Sequence, residues 1–156
     1  MKPSNFARLL PLAIFSAALL LGGCANRFER AWKEAPAPTG QDLLAGRWEG
    51  QWVSEKHKGH SGRLRGVMIP QGNNRYRAEF KAHWFTFSST YSVDFQTRLH
   101  KGVVHFQGEH DLGRLYGGLY SFIGHADAKS FRASYDSSYD RGVFEMARPR
   151  EAAARR

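Results

Sequence analysis

The chain has 156 residues, which argues for one domain, and its single cysteine excludes an internal disulfide framework. Twenty-three Lys and Arg face 14 Asp and Glu, a formal net charge of +9. Such a surface is drawn to anionic partners, such as lipid headgroups or glycan phosphates, or is a solvated exterior kept soluble by its charge.

Residues 1–23 read as a secretion signal. Lys2 and Arg8 supply a positive start, and Leu9 to Leu21 an apolar run interrupted by Pro11. That run is shorter than the roughly 20 apolar residues a membrane span needs. Leu21-Gly22-Gly23-Cys24 follows, and it resembles a bacterial lipobox. There, small residues precede a cysteine that is acylated before cleavage. The resemblance makes Cys24 the lipid attachment site. With Ala25 next, it implies an outer-membrane lipoprotein facing the periplasm. Each acyl chain contributes roughly 0.8 kcal/mol per buried CH₂, and stable anchoring needs more than one chain.

Residues 24–45 read as a lipidated N-terminus and flexible linker. Ala35-Pro36-Ala37-Pro38 favours extended polyproline geometry, suited to holding a domain off the membrane. Phe28, Ala31 and Trp32 fall at helical spacing beside Arg27, Arg30 and Lys33, as one turn of interfacial helix would require.

From residue 46 the signals are β. Eight strands are expected: 47–54, 63–70, 75–84, 90–99, 103–110, 119–125, 131–136 and 143–148. In the first, Trp48, Gly50 and Trp52 alternate with Arg47, Glu49 and Gln51. In the third, Tyr76, Ala78, Phe80, Ala82 and Trp84 alternate with Arg75, Arg77, Glu79, Lys81 and His83. Residues 85–89 fall between strands three and four. Lys101-Gly102 is a tight hairpin turn. Short strands separated by close turn signals predict an all-β fold, an eight-stranded antiparallel up-and-down barrel over 46–149 with a disordered tail at 150–156. The third strand's charged face argues against a barrel embedded in lipid, because basic residues there cost roughly 2–4 kcal/mol each at midplane.

Gly46-x-Trp48 opening the first strand is similar to the entry motif of the calycins, the superfamily that includes lipocalins. The resemblance implies that Trp48 packs across the barrel floor under a basic residue from near the chain end. Arg148, in Met146-Ala147-Arg148-Pro149, is the candidate.

The expected interior set is Trp48, Trp52, Tyr76, Phe80, Trp84, Phe95, Phe106, Tyr120, Phe122, Tyr135 and Phe144. If the interior is open at one mouth, Trp52, Tyr76, Trp84 and Tyr120 are the residues expected to line a site for a small apolar or amphipathic ligand. The seven histidines carry no metal-site spacing: His57 and His60 sit among lysines, and His105 and His110 fall on opposite strand faces. No nucleophile elbow or paired carboxylate suggests an enzyme. Gly113, Gly117 and Gly118 form no phosphate loop, and no cofactor motif is present. Alternation buries the aromatics of the third strand, and export removes nucleic acid as a partner. The function expected is a non-enzymatic binding or envelope-interaction module. The alternative is a scaffolding lipoprotein whose basic exterior contacts anionic lipid or glycan.

Overall fold

The alternation of apolar and charged residues becomes eight antiparallel strands. A computed structural model describes residues 27–40, 42–114 and 117–150. The strands are β1 (Gly46–Ser54), β2 (Ser61–Gly72), β3 (Arg75–Trp84), β4 (Phe87–His100), β5 (Val103–Asp111), β6 (Leu119–Ala126), β7 (Ser130–Asp136) and β8 (Arg141–Ala147). Each pairs with the next, and β8 returns to β1, so the sheet closes as an up-and-down barrel. Closure removes the unpaired edges an open sheet would expose. Lys101 (φ 48°) and Gly102 (φ 77°) turn from β4 into β5 with both central residues left-handed, as a two-residue hairpin favours.

The expected gap at residues 85–89 closes to the two-residue turn Phe85-Thr86. Trp84 pairs directly with Phe87, and β3 and β4 project together as one long hairpin. The composition of 85–89 gives no hint of this, because Ser88 and Ser89 read equally well as loop.

The centre of the barrel is filled by rings. Trp48 lies 5.7 Å from Phe131, Phe131 4.8 Å from Phe106, and Phe106 4.8 Å from Phe95. Phe80 meets Phe144 at 5.5 Å. On the wall, β3 and β8 are separated by β1 and β2, so this contact crosses the interior. Trp48, Phe80, Phe95, Phe106, Phe122, Tyr135 and Phe144 are buried, as their alternation requires. Phe131, absent from the expected interior set, is fully buried as well. Trp84 corrects that set: it is 42% exposed, because β3 carries it past the rim to the hairpin tip.

The segment before β1 is not free. A helix over residues 27–33 lies on the outer wall, across β1, β2 and β3. Seven residues cannot hold a helix alone in water. Here Phe28 is 1% exposed and stacks on Trp32 at 6.0 Å. The Arg65 guanidinium lies 5.1 Å from the Phe28 ring and 4.9 Å from the Trp32 ring. Arg27 pairs with Glu79 at one end (3.1 Å). At the other, Arg47 donates to the carbonyls of Trp32 (2.6 Å) and Lys33 (3.0 Å). That satisfies carbonyls a helix C-terminus leaves open. Glu79, Val67 and Arg47 share one cross-strand row, so the helix follows that row and buries Val67 completely on what would otherwise be an exposed face. The aromatic face expected among headgroups is therefore spent on the barrel. The reason is the outward pair Val67 and Arg65, which offers it an apolar seat and a cation.

Candidate functional site

The two ends of the barrel differ. The end holding Trp48 is plugged. Arg148 lies 3.6 Å over the Trp48 ring and donates to the carbonyls of Leu43 (2.7 Å), Ala45 (2.8 Å) and Arg47 (3.2 Å). The indole N–H donates to the Leu44 carbonyl at 2.9 Å. Burial lowers the Arg148 pKa, partly offset by Asp42. Gly46 takes φ +98°, and a Cβ there would sit 2.6 Å from the Pro36 carbonyl oxygen. A glycine is thus required where the chain crosses under the plug. Tyr76 belongs to this end: its hydroxyl donates to Asp42 Oδ1 at 2.7 Å, and burial, reinforced by Asp42, raises its pKa.

Tyr76 therefore does not join Trp52, Trp84 and Tyr120, which lie toward the opposite end. Those three do not converge either. Trp52 donates its indole N–H to the His83 carbonyl at 3.1 Å. Tyr120 packs beside Phe122 (6.3 Å) and Tyr135 (6.1 Å). Trp84 leans outward on His60 at 5.3 Å. The expected ligand-lining quartet is thus split between the ends. Alternation along strands puts residues on a face but does not say how far up the barrel each one sits.

At the same end Ser54, His57 and Asp140 come together. Ser54 Oγ donates to Asp140 Oδ1 (2.7 Å) and accepts the backbone N–H of His57 (2.9 Å), while Tyr135 donates to Asp140 Oδ2 (3.0 Å). This wiring spends the serine proton on the carboxylate and ties the β1–β2 loop to the β7–β8 loop. A nucleophile would need the His57 imidazole against the hydroxyl. That ring stacks between His60 (5.4 Å) and Tyr139 (5.5 Å) instead. Among the described residues no three His, Cys, Asp or Glu side chains group as metal ligands. Cys24 lies outside the described residues.

The outer wall opposite the helix carries a row of basic side chains that no other described element covers. Arg98 pairs with His105, His105 with His125, and His125 with Arg132, one residue from each of β4, β5, β6 and β7. All four are exposed, and the two imidazoles stand 6.3 Å apart. Among the described residues only its last member is matched: Arg132 pairs with Glu145 on β8. The next row toward the hairpin-tip end is Gln96, Gln107, Ile123 and Ser134. Surface grooves run on both sides of Ile123, one lined by Arg98, His105 and Gln107, the other by His105, His125 and Arg132. Gly124 lines both grooves with its backbone, and a Cβ there would point inward, 2.6 Å from the Phe106 ring. A row of guanidinium and imidazole N–H donors beside amide side chains can hold phosphate or carboxylate oxygens by charge-assisted hydrogen bonds.

The spacing of these four residues in sequence is irregular, so no periodicity announces them. The signal lies only in the register of four strands.

The fold defines the class of this protein as a closed eight-stranded antiparallel β-barrel. No family model, curated protein or solved structure matches the chain.

Proposed function

We propose that this protein is a lipid-anchored envelope module, attached through Cys24 to the periplasmic face of a bacterial outer membrane, and that it works through its outside rather than its inside. Its role is non-enzymatic contact with an anionic envelope component, a phosphate- or carboxylate-bearing glycan or lipid headgroup. The observation that carries this reading is the exposed row Arg98, His105, His125 and Arg132, in which Arg132 alone has a carboxylate partner among the described residues. The filled interior supports it from the other side. Carriage of an apolar ligand would need Phe80 and Phe144 to part where they now touch.

The test is binding of the purified protein to two probes, a phosphate-rich lipopolysaccharide and vesicles containing phosphatidylglycerol. Each basic residue near an anionic surface contributes about 1 kcal/mol. Replacing Arg98 and Arg132 together by alanine should therefore weaken binding roughly 10- to 30-fold and flatten its salt dependence. Undiminished binding would refute the row as the contact. Preference for one probe separates glycan from headgroup. Mass spectrometry of the mature N-terminus tests the anchor, and a free Cys24 thiol would refute it.

A further inference from the structure

The β3–β4 hairpin ends in three exposed aromatic side chains, of which only Trp84 leans on a side chain outside the hairpin, His60, among the described residues. Trp84, Phe85 and Phe87 are 42%, 87% and 73% exposed. Phe85 also has φ +50°, in the left-handed region that non-glycine residues seldom enter. A phenylalanine therefore stands at the first central position of a two-residue turn, where glycine is easiest, and presents its ring to solvent. Backbone strain kept at an exposed aromatic points to a contact made by that ring.

The docked helix says where a membrane must be. Arg27, the first described residue, is fastened to Glu79 on β3 at 3.1 Å. Three peptide units separate it from Cys24 and span at most about 11 Å in any conformation. A lipid on Cys24 therefore keeps the bilayer beside β3, not tens of ångströms away. The same strand continues six residues from Glu79 to Phe85, about 20 Å along its length. With a barrel strand tilt near 40°, that is about 15 Å along the axis. The tip thus overshoots the reach of the anchor by a few ångströms, within the 5–10 Å depth to which interfacial aromatics enter the headgroup region. Charge does not select this end, since Lys56 and Lys58 of the β1–β2 loop share it with Glu55 and with Asp111 at the end of β5. The aromatic side chains do, and Trp and Tyr or Phe at headgroup level follow the ordinary amphipathic rule.

We infer that the β3–β4 hairpin tip inserts Phe85 and Phe87, with Trp84 at its edge, into the headgroup layer of the same leaflet that holds the Cys24 lipid. This rests on the reading of Cys24 as the anchor. The barrel then stands on its tip. The row Arg98 to Arg132, many strand residues up the wall from Phe87, faces away from the membrane. That orientation gives glycan, not headgroup, as the partner of the row.

The experiment uses the full lipidated chain in vesicles of phosphatidylethanolamine and phosphatidylglycerol. Cys24 is the only cysteine, so an acylated chain carries no other thiol, and Phe85→Cys or Asn73→Cys accepts one environment-sensitive dye. Both positions are exposed turn residues, so neither substitution disturbs the core. The expected result is a several-fold rise in emission on reconstitution for Phe85→Cys and little change for Asn73→Cys, which lies at the plugged end. No rise at Phe85, or an equal rise at both positions, overturns the inserted tip. Two dyes per chain would instead show that Cys24 is free. That result removes the anchor, and with it this inference, and differs visibly from a failure of insertion alone.

Discussion

The outer wall of this barrel has two basic faces that met different fates. On β1–β3, Arg47, Arg65 and Lys81 are occupied. They receive helix carbonyls, aromatic rings and the Glu29 carboxylate, which Arg65 and Lys81 reach at 2.6 and 2.8 Å. On β4–β7, Arg98, His105 and His125 face solvent with no covering element among the described residues. Counted by Arg and Lys, β1–β3 carry six and β4–β7 two, so residue counts alone would favour the covered wall. What differs is whether the chain supplies its own counterpart, and only the wall left without one is free to take a partner from outside.

Both walls stand on the same plug, so its loss bounds every other effect. Trp48→Ala should cost about 3–5 kcal/mol, as large aromatic truncations in cores do. It should lower the denaturant midpoint while erasing the distinction between the walls. A loss below about 1 kcal/mol would mean that Arg148 and Leu44 close the end without the indole.

Phe28→Ala breaks the comparison from the covered side. The helix should release, since a seven-residue segment has little else to hold it. Protease should then cut between residues 27 and 45 at a concentration that spares the native chain, while the barrel stays folded. Continued resistance would show that the ion pairs, not the ring, carry the docking.

Acid sharpens the same contrast more gently. Hydrogen bonding by Lys81 is the largest cause holding Glu29 below its ordinary 4.5, against some desolvation. A depressed carboxylate stabilises above the unfolded value and loses that contribution as pH falls through the folded one. Docking reported by Trp32 fluorescence should therefore be steady above pH 4.5 and fade below it. His83, on the same wall, is lowered first by burial and then by Lys81 and Arg63. Its neutral form is the one the fold prefers, so stability should begin to fall as pH drops below 6.5. A helix signal unchanged to pH 3 would exclude Glu29 as a clamp.

The smallest effect belongs to the exposed pair of Arg77 and Asp94, bonded at 2.9 and 3.0 Å. Hydrogen bonding by Arg77 holds the Asp94 carboxyl below its usual range. Both groups are wet, so Asp94→Asn should shift the thermal midpoint by no more than about 1 kcal/mol equivalent. A larger loss would mean that surface pairs, not the ring-filled interior, support this barrel.

Much of the barrel could be read from residues alone, and the reasons are physical. A period of two specifies which side chains turn inward, so the strand set and most of its interior followed from Trp48, Phe80 and Phe95. Height along the barrel is not encoded in that period, which is why Tyr76 and Trp84 were expected together and lie at opposite ends. Helix docking was equally hidden. Phe28 and Trp32 announce an apolar face but not its seat, because Val67 and Arg65 reveal themselves only once β2 is aligned with β3. The row from Arg98 to Arg132 needed the register of four strands.

The account is tested most directly by following backbone amides by NMR while a phosphate-rich glycan is titrated into the folded barrel. It predicts that shifts concentrate at Arg98, His105, His125 and Arg132, with the helix over residues 27–33 and the interior rings silent. Shifts centred on Phe80, Phe95 and Phe144 would contradict it, because the interior would then be the site.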